Sequence, residues 1–214
     1  MTAPVEAKTS RARLLLTPIG LMALALAAMW GIEVADSVVL DEALQRNGLR
    51  PRRRDGLDGI AWAPFLHSDF GHVASNSVPL LVLGGLVAAR GRRYWGWVTC
   101  AAILLGGGLT WLLAGDGIHI GASGVVFGYF GAILGAAVFE RRIRVLGAAL
   151  IALGFYSSLI AGLVPQEAIS WEGHLFGLVG GVIASKVLAE PRVTSKDTPY
   201  EPEPWELDEP WNLA

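Results

Sequence analysis

Four polar side chains interrupt stretches that are otherwise apolar: Ser123 in "HIGASGVVFG", His174 in "GHLFGLVGG", and His72 with Asn76 in "HVASN". Polar groups in such runs are costly, and by default they mark functional positions. A serine hydroxyl is a weak nucleophile until a base takes its proton, and a neighbouring histidine can do so. The tetrahedral oxyanion that follows attack needs donors aimed at it. The Asn76 amide, the His72 ring N–H and the backbone around Gly121 and Ser123, where a helix opens, are the candidates. Glu172 lies two residues from His174 and falls on another helical face, so a Ser123–His174 dyad is expected rather than a triad. Such chemistry calls for no cofactor, and the His-Glu-x-x-His spacing of a zinc site is absent. The serine elbow of soluble hydrolases, G-x-S-x-G, is not matched either, because the fifth residue is Val125 and no strand precedes it.

Each residue also has a plainer reading. Ser123 could be a helix N-cap, His174 a packed interfacial histidine, and His72 with Asn76 an interhelical hydrogen bond of the kind membrane bundles use. His67 and His119 fall in loops and read as structural. What tells between these readings is whether the elements that carry the four residues bring them together.

Those elements are membrane spans. Of the 214 residues 53% are hydrophobic and 17% charged, and the charges cluster, leaving intervals of bilayer-spanning length. Hydropathy and charge punctuation give six spans, at roughly 15–37, 71–89, 94–113, 123–139, 146–163 and 173–189. The uncharged run Leu14–Ile32 is too long for a signal-peptide core and reads as a retained first helix. The expected class is therefore an all-α polytopic membrane protein, a six-helix bundle over 15–189, preceded by a cytoplasmic segment 1–14. Its long first loop, about 40–70, carries Arg50, Arg52, Arg53 and Arg54 and then "IAWAPFLHSDFGH", which reads as lying in the interface plane. With both termini in the cytoplasm, twelve Lys and Arg fall inside and five outside, all five in that loop. Most of the eight tryptophans sit near span ends, as an aromatic belt does. The single cysteine, Cys100, excludes an internal disulfide. The tail 190–214 is acidic and Pro-rich, with six acids and no base in "DTPYEPEPWELDEPWNLA", and reads as disordered. Trp205 and Trp211 leave open a cytoplasmic partner for it.

In this topology spans two, four and six all run from outside to inside. His72, Asn76, Ser123 and His174 then sit at one depth, toward the outer leaflet, where chance would scatter them. Glycines explain how they could meet. Gly124, Gly128, Gly131 and Gly135 follow Ser123 at three- and four-residue intervals, and Gly177 and Gly181 follow His174 on its own face, so helices four and six can pack closely. Span four is roughly 25 Å long at 1.5 Å per residue, shorter than the hydrocarbon core, which recesses Ser123 in a pocket that must admit water.

With these residues in place, the chain resembles the rhomboid intramembrane serine proteases. The resemblance covers about 57–189 and rests on G-A-S-G at Ser123, H-x-x-x-N from His72 to Asn76, and G-H-x-x-G-x-x-x-G around His174. It implies Ser123 as nucleophile, His174 as general base, and His72 and Asn76 supporting the oxyanion. The implied substrates are transmembrane proteins, met in the bilayer of the cell membrane near its outer leaflet, with no nucleic acid involved. Two positions depart from the pattern. Many members carry a tyrosine, stacked on the histidine, where this chain has Phe127, and many have a Trp-Arg pair in the first loop, which is absent here. The reading of another class is a non-catalytic adaptor that holds transmembrane helices in the same groove, for which Ser123 and His174 would be dispensable. A transporter is disfavoured by the lack of inverted-repeat symmetry and of paired intramembrane charges.

Overall fold

The structure is a computed structural model that describes residues 17–166 and 170–189. Among these residues the protein is helical, with one isolated β-bridge, between Leu49 and His119. Five segments are long and apolar enough to cross a bilayer: α1 (Pro18–Val39), α2 (Phe70–Ala88), α3 (Arg92–Leu113), α4 (Ser123–Glu140) and Ile143–Leu163. The α-helical part of the last, α5, is Ile143–Tyr156. A further helix, α6 (Trp171–Val187), has 17 residues, the lower limit for a span. The proposed tail and N-terminal segment lie outside the described residues.

Local chemistry sets the helix ends. Thr17 caps α1 by accepting the Gly20 N–H at 3.1 Å, and Pro18 takes the first position, where its missing N–H is no loss. Asp69 caps α2, its Oδ1 accepting the His72 N–H at 2.9 Å. α4 stops at Arg141, whose φ of +54° is left-handed.

α4 is the centre of the bundle: twelve of its 18 residues are buried, against two, Ala149 and Ala152, in α5. Its main partner is α6, and the seam between them has almost no side chains. A Cβ on Gly177 or Gly181 would overlap the carbonyl oxygen of Gly124 or Gly128, and one on Gly131 would overlap that of Leu178. Close backbone approach of this kind replaces the hydrophobic effect as the source of helix association in lipid. α3 widens into a π-helical stretch, Ala101–Gly106, where it crosses Gly177 and Gly180 of α6 and brings Ala102 against Gly128 of α4. Polar pins add register: Thr99 Oγ1 and Tyr129 Oη lie 2.9 Å apart across α3 and α4, and Trp30 donates to Ser77 Oγ at 3.1 Å across α1 and α2.

One feature differs from the sequence expectation and two add to it. The fifth span is not one α-helix, because Ser157–Leu163 tighten into a 3₁₀ segment. α1 carries two buried carboxylates near its far end, Glu33 bonded to Ser37 and Asp36 accepting the Leu44 N–H, so this helix is bound to the first loop by polar contacts. The first loop itself is fastened down. Leu49 and His119 exchange backbone hydrogen bonds at 3.0 and 2.9 Å, and Trp111 Nε1 donates to Arg53 O at 2.9 Å. Three of its four clustered arginines are in ion pairs, Arg50 and Arg53 with Asp55 and Arg52 with Asp116.

Candidate active site

Ser123 is the first residue of α4. The N-cap is Ala122, so Ser123 does not cap the helix. Its Oγ lies 2.8 Å from His174 Nε2 on α6, a contact made within reach by the glycine seam one turn further along. His174 Nδ1 is 2.8 Å from the Gly162 carbonyl. A carbonyl only accepts, so Nδ1 carries the ring proton, and Nε2 is left as a lone pair accepting the Ser123 O–H. That is the tautomer a general base needs, and a backbone carbonyl fixes it where a carboxylate does in a triad. Glu172 points away, accepting the Gly115 N–H at 3.2 Å.

Phe127, one turn after Ser123, stacks on His174 with centroids 4.3 Å apart and planes 9° from parallel. The ring therefore holds the imidazole from one face without any hydroxyl. Gly162 completes the clamp, since a Cβ there would come within 3.0 Å of Phe127 Cζ and 3.1 Å of His174 Nδ1.

On the opposite wall His72 and Asn76 project from consecutive turns of α2. Asn76 spends one amide hydrogen on the His72 carbonyl at 3.0 Å and retains the other. The bond is thus within α2 rather than between helices. His72 Nδ1 is 3.2 Å from Ser68 Oγ, which leaves Nε2 turned toward Gly121. Gly121 differs from the expectation for it. Its N–H is donated to the Ala63 carbonyl at 2.9 Å and is not an oxyanion donor. What it supplies is space: its φ is +107°, and a Cβ would sit 2.7 Å from His72 Nε2. His72, Asn76, Ser123, Phe127, Gly162 and His174 all line one cavity of about 890 Å³.

The two histidines read as structural are both tied to this site. His67 is 2% exposed, and its Nε2 accepts the Ala122 N–H at 3.4 Å, beside the serine. Burial, and to a smaller extent the neighbouring His72, pushes the His67 pKa down to about 4. His119 Nδ1 is bonded to Ser170 Oγ just before α6, and burial lowers its pKa as well. Sequence reasoning missed Gly162 altogether, because the group it contributes is a main-chain carbonyl.

A helical membrane protein in which two closely packed helices present a serine and a histidine to one cavity is the class that fold and site define. The chain belongs to the rhomboid family: the Rhomboid domain matches residues 57–191. An uncharacterized protein of Mycobacterium tuberculosis is 36% identical over 175 residues, 77% of this chain and 72% of the relative. Rhomboid-like protein 11, chloroplastic, of Arabidopsis thaliana is 29% identical over 147 residues, covering 60% of this chain and 51% of that protein. Rhomboid protease GluP of Bacillus subtilis is 31% identical over 133 residues, 59% of this chain and 25% of GluP. No solved structure matches.

Proposed function

We propose that this protein is an intramembrane serine endopeptidase that cleaves transmembrane segments by a Ser123–His174 dyad. The observation that carries the reading is the Ser123 Oγ to His174 Nε2 contact of 2.8 Å, with Nδ1 anchored on Gly162 so that Nε2 faces the hydroxyl as acceptor. As Ser123 Oγ bonds to the substrate carbonyl carbon, its proton passes to His174 Nε2. The carbonyl oxygen becomes an oxyanion, which the free Asn76 amide hydrogen, His72 and the Ser123 N–H at the start of α4 stabilise. Collapse breaks the C–N bond, and the leaving amine takes the proton from His174. Water then attacks the acyl-serine, giving its proton to His174, which returns it to Ser123 Oγ as the acid departs.

In the bilayer the six helices all span, with both termini in the cytoplasm, as the Lys and Arg count favours. Ser123 then lies toward the outer leaflet of the cell membrane. An intact substrate helix hides its carbonyls in hydrogen bonds, so segments with Gly or Pro near that boundary are preferred. A fluorophosphonate probe tests the activated serine without knowledge of the substrate. The wild type is expected to be labelled at Ser123, with labelling lost in Ser123→Ala and reduced by orders of magnitude in His174→Ala. Equal labelling of wild type and His174→Ala contradicts the dyad.

A further inference from the structure

At the end of the bundle away from Ser123, a second crevice of about 820 Å³ opens between the ends of α2 and α3, the second half of α4 and the first half of α5. Its walls are apolar, with Val87, Ile133, Ala136, Ala148 and Ile151 among them. α5 cannot close it, since only Ala149 and Ala152 of that helix are buried. The crevice also holds one acid, Glu140, whose side chain is 1% exposed and paired with Arg90. The Arg90 guanidinium in turn lies 3.8 Å over the Tyr94 ring and donates to its hydroxyl at 2.9 Å. Glu140 is thereby neutralised inside the wall. The other charged side chains lining the crevice, Arg142 and Arg144, are both cationic and both exposed.

We propose that this crevice binds an anionic phospholipid, with its phosphate at Arg142 and Arg144 and its acyl chains along the apolar wall. In hydrocarbon an open apolar crevice of this size fills with lipid, and basic residues between helices at the membrane surface select the anionic headgroups. From Arg144 to Ile151 the wall runs roughly 10 Å at 1.5 Å per residue, which matches the upper part of an acyl chain below its phosphate. A second membrane helix is a poorer occupant. Arg90, Arg92, Arg93, Arg141, Arg142 and Arg144 gather at this end, and a helix flank at a Lys- and Arg-rich surface brings more of the same charge.

The test is native mass spectrometry of the full chain with equal phosphatidylglycerol and phosphatidylcholine, together with mapping of cross-links from a photoreactive acyl chain of phosphatidylglycerol. The wild type is expected to retain phosphatidylglycerol preferentially and to cross-link within the crevice walls. The preference is expected to fall roughly fivefold for each arginine removed in Arg142→Gln and Arg144→Gln. Gly147 lines the crevice and a Cβ there meets nothing within 4 Å, so Gly147→Phe sets a ring into the space the acyl chain would take and is expected to abolish retention. Arg92→Gln with Arg93→Gln removes the same charge away from the crevice and is expected to leave the preference unchanged. An equal loss in that pair, cross-links elsewhere, unaltered retention in Gly147→Phe, or competition by inorganic phosphate as effective as the lipid would each overturn the proposal.

Discussion

Gly181→Ala probes the seam on which the site depends. The added Cβ would overlap the Gly128 carbonyl oxygen and approach that carbonyl carbon to 2.7 Å and the Ala132 nitrogen to 2.9 Å. All three are main-chain atoms, which no rotamer change can move. α4 and α6 must therefore part by on the order of 1 Å to restore ordinary contact of about 3.5 Å or more. Overpacking of this kind costs about 1–3 kcal/mol, offset by up to about 1 kcal/mol from replacing a helical glycine. Gly147→Ala is the control: it lies in α5 with nothing within 4 Å, so only the gain applies. The glycine gain is common to both variants and cancels, so the expected gap between them is the overpacking cost, about 1–3 kcal/mol, read from denaturant unfolding in one detergent with helix content as the signal. The same 1 Å shift moves His174 relative to Ser123, and a misplacement of that size costs about 100-fold in turnover. Equal stability of Gly181→Ala and Gly147→Ala would refute backbone contact as the origin of the α4–α6 association.

Further outcomes follow from individual contacts. Phe127→Leu removes the ring stacked on His174, a pairing worth about 0.5–1.5 kcal/mol beyond buried area, so turnover is expected to fall up to about tenfold while Phe127→Tyr stays near wild type in the same cleavage assay. The depressed His67 pKa means the unfolded chain takes up a proton near 6.5 and the folded one only near 4. His67 therefore contributes stability in full above about pH 6.5, and at most about 3 kcal/mol of it is lost as pH falls from 6.5 to 4; His67→Gln is expected to flatten unfolding free energy across that range. Arg90→Leu strands Glu140, whose side chain is 1% exposed, in the wall and is expected to cost about 3–5 kcal/mol in the same unfolding measurement, whereas replacing both partners with apolar residues should cost far less.

The positions of Ser123, His174, His72 and Asn76 were legible because polar side chains are few in apolar runs and these lie at matching ends of alternate helices. The glycine spacings of α4 and α6 were legible for a related reason, as a face without side chains is itself a pattern. Other features leave no such trace. Gly162 acts through its carbonyl, and any residue type carries one. The 3₁₀ tightening of Ser157–Leu163 and the π-helical stretch of α3 fall where the chain meets His174 and where it meets Gly177 and Gly180, tertiary contacts that periodicity does not encode. Glu33 and Asp36 fall inside the first predicted span without any pattern that marks a role for them, yet both are buried, Glu33 bonded to Ser37 and Asp36 accepting the Leu44 N–H of the first loop. The clustered arginines of that loop count against the charge bias in the sequence, while in the folded protein three of the four serve ion pairs, Arg50 and Arg53 with Asp55 and Arg52 with Asp116.

The most direct test of the central claim is cleavage of a transmembrane test substrate by the protein in liposomes, comparing wild type, Ser123→Ala and His174→Ala at matched folding. The dyad predicts a product from wild type that vanishes in both variants. Cleavage that persists in either variant would contradict it. Retained binding of the substrate helix by all three proteins, with no cleavage by any across a panel of such substrates, would instead establish the adaptor reading.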